Sequence, residues 1–186
     1  MKVGTDGVLL GAWCSLKNSP KTILDVGTGT GIISLMLAQR SSAVTIDGVE
    51  IDKSAYEQTV NNFENSNWSD RLYCYNTSFQ QFVEETNNER GTYDLIVSNP
   101  PFYNEDYITT NPSRNKARFT SFLTFKELIQ GVSKLLSKSG LFSAIITFKD
   151  ESTFVSLAQQ HNLYLDKICY IVLKIILLFF CLKSLN

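Results

Sequence analysis

Short apolar runs alternate along this chain with segments of helical spacing, and that alternation constrains the fold more than any other feature. The runs are "TILDVG" (22–27), "AVTIDGVEI" (43–51), "RLYCYN" (71–76), "YDLIVS" (93–98) and "GLFSAIITF" (140–148). Between them lie "GIISLMLAQR" (31–40), "KSAYEQTVNNFENS" (53–66), "SFQQFVEE" (78–85) and "FLTFKELIQGVSKLLSKSG" (122–140), the last with a glycine stop. In the second of these, Ala55, Tyr56, Thr59, Val60 and Phe63 share one helical stripe. Strands that are apolar throughout are buried on both faces, so the order strand-helix-strand-helix predicts an α/β fold. Its sheet is doubly wound and mostly parallel, with helices on both faces and ligands at the carboxyl ends of the strands.

"ESTFVSLAQQHN" (151–162) reads as a further helix and "LYLDKICYIV" (163–172) as the start of the final strands. Length 186, 44% hydrophobic residues and no visible linker point to one domain spanning 1–186, with 171–186 an atypical tail. The tail belongs to "ICYIVLKIILLFFCL", which Lys174 divides and which is short of a membrane span, so a pair of buried strands and no membrane is expected, with membrane contact as the alternative reading. A net charge of −1 argues against a broadly basic surface but allows a local basic patch. Cys14, Cys74, Cys169 and Cys181 form no CxxC and are expected to be reduced thiols of a cytoplasmic protein. The one histidine, His161, leaves little material for a metal site or a Ser-His-Asp triad, and no metal is expected.

Two loops carry the chemistry. In "DVGTGTG" (25–31), Gly27, Gly29 and Gly31 allow a tight turn and close approach to a ligand. The spacing is neither that of dinucleotide sites nor that of the phosphate loop, which needs a following lysine. Asp25 would repel a pyrophosphate and suits a ligand carrying an amine and a sulfonium. Glu50, about twenty residues further on, ends the second strand, where an acid can accept from both ribose hydroxyls. Asp52 is expected to cap the next helix. After the third strand, Ser78 and Phe79 are candidates for adenine contacts, with capping by Ser78 as the other reading.

The fourth strand ends at Asn99-Pro100-Pro101-Phe102. The prolines stiffen the exit and push Asn99 out of the helical region. The Asn99 side-chain oxygen and the Pro100 carbonyl can then take the two hydrogens of an exocyclic amino group, and Phe102 or Tyr103 can stack on the base. No strong base is required, because the methylated ammonium is acidic. Between Asp106 and Glu127 there is no acid, and Arg114, Lys116, Arg118 and Lys126 make this segment basic and able to contact phosphates, with a solvated loop as the alternative.

"DVGTGTG", "GVEID" and "NPPF" together resemble the class I S-adenosylmethionine-dependent methyltransferases, whose fold is Rossmann-like. "KVGTDGVLLGAW" (2–13), "NKAR" and "LTFKELI" resemble the bacterial tRNA adenine-N6 methyltransferases that modify the anticodon loop of valine tRNA. The resemblance runs over residues 1–170. It implies S-adenosyl-L-methionine as cofactor, tRNA as substrate, a monomer, and cofactor contacts from Thr5, Asp6 and Gly7; Asp6 as an ordinary helix cap is the alternative. It also implies a segment ahead of Lys2 that covers the cofactor and a more polar end, so an altered end and weak activity are expected here. A glutamine-N5 methyltransferase of release factors, a ribosomal RNA guanine-N2 methyltransferase and a non-catalytic RNA-binding module are the alternatives.

Overall fold

The computed structural model describes residues 4–86, 92–100, 123–172 and 176–184. The elements run α1 (Thr5–Trp13), β1 (Thr22–Val26), α2 (Ile32–Arg40), β2 (Thr45–Glu50), α3 (Lys53–Glu64), β3 (Leu72–Asn76), α4 (Phe79–Thr86) and β4 (Tyr93–Ser98). They continue with α5 (Phe125–Leu135), β5 (Leu136–Thr147), a 3-10 turn (Phe148–Asp150), α6 (Glu151–Gln160), β6 (Leu163–Val172) and β7 (Ile176–Ser184).

All seven strands join one sheet in the order β3-β2-β1-β4-β5-β7-β6, with β7 antiparallel to both neighbours. The expected mostly parallel, doubly wound α/β sheet is what forms, and the tail becomes its antiparallel partner. Strand order reverses between β1 and β4, so the crevice of such a sheet opens at their carboxyl ends. Two apolar cores flank the sheet. One gathers Leu24, Ile96, Phe79, Phe142 and Phe154 under α4, α5 and α6. The other gathers Leu10, Ile23, Leu37, Ile46, Phe63 and Leu95 under α1, α2 and α3.

Two expected boundaries differ. The helix over 122–140 ends at Leu135, not at its glycine, because Leu136 turns extended and is buried, pairing with Tyr93. Gly140 instead leaves room for the Leu136 side chain, which a Cβ there would meet at 2.8 Å. At the start of the chain the cap of α1 is Gly4, and Asp6 stands in the first turn.

α1 is fastened to α2. Arg40 donates to the carbonyls of Gly11 and Cys14, and a Cβ at Gly11 would lie 2.7 Å from the Met36 sulfur. That packing brings the N-terminus of α1 to the crevice edge.

Candidate active site

β1 delivers the glycine loop. Gly27, Gly29 and Gly31 all take positive φ (72°, 61° and 76°), a region that penalises side chains. At Gly31 space forbids one as well, since a Cβ would meet Phe63 Cε1 at 2.5 Å. At Gly27 a Cβ would meet nothing within 4 Å, so this part of the loop faces open space. The Gly27 and Thr28 N–H groups donate to the Val49 carbonyl (2.9 and 3.1 Å), folding the loop across the end of β2.

Asp25 lies beneath that loop, fully buried. Its Oδ2 accepts from Ser34 Oγ (2.7 Å) and Thr28 Oγ1 (2.8 Å), while Oδ1 is buried with no partner among the described residues. Burial pushes the carboxyl up to about 6, with Ser34 and Thr28 pulling the other way and the nearby Glu50 charge adding to the rise. A neighbouring cation would remove that penalty.

Glu50 ends β2 with 9% exposure. Its Oε2 accepts from the Gly29 N–H (2.9 Å) and its Oε1 from the Asp52 N–H (2.8 Å), so one carboxylate joins the loops after β1 and β2. Each oxygen keeps capacity for a further donor. Asp52 caps α3, accepting from Ala55 N–H at 2.8 Å, as expected. Ile51 beside it is 52% exposed and gives this rim an apolar flank.

At the third loop, Ser78 Oγ accepts from the Gln81 N–H (3.2 Å), the capping arrangement, which leaves the hydroxyl's own proton available. The Phe79 ring turns into the core, where a Cβ on Gly131 would lie 2.3 Å from it. What Phe79 leaves for a ligand is its backbone, whose first-turn N–H has no intrahelical acceptor.

β4 delivers Asn99. Ser98 pairs with Val26 in register and donates from Oγ to the Val26 carbonyl at 3.0 Å. The two chains therefore leave the sheet side by side, Gly27 on one and Asn99 on the other. Gly7 of α1 abuts the Asn99 amide; a Cβ there would lie 3.8 Å from Asn99 Nδ2 and 3.6 Å from Ile32 Cγ2. Thr5 and Asp6 precede Gly7 in the first turn of α1, and partial burial raises the Asp6 carboxyl. Pro101, Phe102, Arg114, Lys116 and Arg118 lie outside the described residues.

The structure brings Asp25, the three glycines, Glu50, Asn99 and Gly7 to the carboxyl edge of β1, β2 and β4, with Pro100 following Asn99. It adds two residues that the sequence reading left without a part in the site. Thr59 Oγ1 donates to the Gly29 carbonyl (2.5 Å) and Asn62 Nδ2 to the Thr30 carbonyl (2.8 Å), so α3 grips the glycine loop from outside. Their spacing on α3, three residues apart and facing one way, is the signal that could have found them. The donor set fits S-adenosyl-L-methionine: an orphaned carboxylate oxygen for a cation, an acid at the strand end for ribose hydroxyls, and an apolar flank for a flat ring. Among the described residues no group of His, Cys, Asp and Glu could hold a metal ion, and no helix is long and apolar enough to cross a membrane. Cys74 and Cys169 are free thiols, and burial pushes the Cys74 thiol up to about 12, which keeps it protonated and unreactive.

Comparison with known proteins agrees with this geometry. The family model of the methyltransferase small domain matches residues 9–157. The chain is 56% identical over 168 residues to the tRNA1(Val) (adenine(37)-N6)-methyltransferase of Christiangramia forsetii, covering 90% of this chain and 70% of that one. To the protein of the same name from Bacteroides fragilis it is 41% identical over 174 residues, covering 94% and 72%. Among solved structures, the geranyl diphosphate C-methyltransferase of Streptomyces coelicolor A3(2), crystallised with Mg2+, geranyl diphosphate and S-adenosyl-L-homocysteine, gives a TM-score of 0.65 at 11% identity, over 89% of this chain and 73% of that one. At that identity the likeness is one of fold; the family rests on the closer relatives. The chain belongs to the methyltransferase small-domain family, and within it to the tRNA1(Val) (adenine(37)-N6)-methyltransferases.

Proposed function

We infer that this chain transfers a methyl group from S-adenosyl-L-methionine to the exocyclic N6 of an adenine in a tRNA anticodon loop. The observation that carries the reading is the shared exit of β1 and β4, which sets Asn99 beside the glycine loop with Gly7 against its amide. When bound, the cofactor supplies a methyl group on a sulfonium, with a neutral thioether as leaving group.

The residues of the chain do the rest. Asp25 and the αL glycines hold the cationic end, Glu50 takes the ribose hydroxyls, and Ile51 with the backbone at Ser78 and Phe79 borders the adenine ring. Thr5, Asp6 and Gly7 close the rim nearest Asn99. The Asn99 side-chain oxygen and the Pro100 carbonyl accept the two hydrogens of the target amino group, which aims its lone pair at the methyl. Fixing that direction is the main contribution to rate. The proton released afterwards goes to water, since the methylated ammonium is a strong acid. Pro101 holds the turn, Phe102 stacks on the target base, and Arg114, Lys116 and Arg118 bind the RNA backbone. An anticodon-loop adenine is already partly unstacked, so presenting it is easier than flipping a paired base. A monomer in the cytoplasm is part of the same reading.

Asn99→Ala tests it. Labelled-methyl transfer into tRNA should fall roughly a hundredfold or more, because the nucleophile is no longer aimed. The Kd for S-adenosyl-L-methionine by calorimetry should stay within about twofold, since Asn99 makes none of the cofactor contacts assigned above. Digested product from the unaltered protein should carry the label as N6-methyladenosine. Wild-type rates in the variant, or label in another nucleoside, would refute the assignment.

A further inference from the structure

The carboxyl edge of the sheet carries a second feature beyond the crevice. β5 and β6 run in the same direction with β7 between them, so both end on the edge where Asn99 emerges. There Phe148 is 51% exposed and Tyr170 50% exposed, with ring centroids 6.3 Å apart and planes inclined at 59°. In register Ser98 pairs with Ala144, while Tyr170 lies level with Ile146 across β7. The aromatic pair therefore stands above the level at which Asn99 leaves the sheet. β6 is three strand spacings from β4, roughly 14 Å.

The pair is held by short, local structure. The Thr147 hydroxyl donates to Asp150, which fixes the 3-10 turn carrying Phe148. The Tyr170 hydroxyl donates to Glu151 Oε1 at 3.1 Å, at the first turn of α6. Two adjacent aromatic rings held half in water on rigid elements offer flat apolar faces that a ligand can cover. The carboxylates of Asp150 and Glu151 at their foot disfavour a phosphate and leave the uncharged ring faces as the usable surface.

We propose that Phe148 and Tyr170 form a stacking platform for an unpaired base that neighbours the target adenine in a single-stranded RNA loop. The occupant follows from position: the platform is continuous with the edge holding Asn99 and lies on the side of β4 away from Glu50, so it borders the target and not the cofactor. Stacking on aromatic rings is the common way a protein holds a loop base without reading its identity. This rests on the RNA reading given under Proposed function.

The experiment is the anisotropy-measured Kd for an anticodon stem-loop RNA, beside methyl transfer to the whole tRNA. Phe148→Ala and Tyr170→Ala should each weaken stem-loop binding about tenfold. Phe148→Leu, which keeps apolar bulk without a ring, should weaken it similarly. Phe148→Tyr and Tyr170→Phe should restore it. KM for S-adenosyl-L-methionine should not move, and the melting temperature should fall by no more than about 5 °C, since only half of each ring is packed. A double alanine variant with unchanged stem-loop Kd overturns the platform. So does an aromatic-dependent change in oligomeric mass with unchanged RNA binding, which would assign the pair to a protein contact. Stem-loop binding that depends on the rings without any methyl transfer would sink the proposed reaction and leave the platform standing.

Discussion

Asp25 is a carboxylate asked to sit in a dry place with half its hydrogen bonds made. Its carboxyl is raised from 3.8 to about 6, so between those values the folded chain binds a proton that the unfolded chain has released. Stability attributable to this group is therefore full below about pH 4 and is lost as pH rises through about 6, an effect of roughly 3 kcal/mol at most. Asp25→Asn should flatten the pH dependence of the ligand-free protein between pH 4 and 6 in denaturant titrations. A bound cation reverses the preference, so the affinity for S-adenosyl-L-homocysteine, which keeps the ammonium, should rise about tenfold from pH 5 to 7. The asparagine variant should bind weakly and without that trend; calorimetry across the range reads both. The sequence shows the acid ahead of the glycines, and its charge already argues against a pyrophosphate. It does not show that Ser34, nine residues along, would take one oxygen, because only the fold brings them together. Phe79 illustrates the opposite case. Its place after the third strand makes it a candidate ligand contact, but its ring fills the space left by Gly131 on a helix far along the chain.

At the level of elements, the glycine loop is shaped from outside. Its own glycines permit the turn, Glu50 takes the Gly29 N–H, and α3 takes two of its carbonyls through Thr59 and Asn62. Helical spacing places Thr59 on a buried stripe with Ala55 and Phe63, and all three are buried. Periodicity says which face is covered but not which acceptor a hydroxyl finds there. Replacing Thr59 with Val and Asn62 with Ala removes two hydrogen bonds of about 1 kcal/mol each. The double variant should raise KM for S-adenosyl-L-methionine about five- to tenfold with kcat little changed, and lower the melting temperature by about 5 °C. Thr59→Ser, which keeps the hydroxyl, should recover most of the KM. Equal losses in kcat and KM for tRNA would show that α3 does more than hold the loop.

For the molecule as a whole, the parallel half of the sheet is legible in the alternation of apolar runs. It did not reveal that β7 lies between β5 and β6, since backbone pairing across a long connection leaves little trace in side-chain pattern. The register is extensive, from Leu141↔Lys183 to Thr147↔Leu177 on one side and from Leu163↔Ser184 to Val172↔Ile176 on the other. The Lys183–Asp166 ion pair beside it spans 3.2 Å with both side chains well exposed, so pairing and burial hold the strand and the ion pair adds little. Removing residues 176–186 should leave both β5 and β6 with open edges. Size-exclusion chromatography should then show aggregates, and the cooperative melt should vanish; a monomer with an unchanged melt would mean that the outer strands are dispensable. The same arrangement sets an order on synthesis. β6 touches the rest of the sheet only through β7, so it stays without a backbone partner until that strand has left the ribosome, and the two join β5 together as a late-docking hairpin.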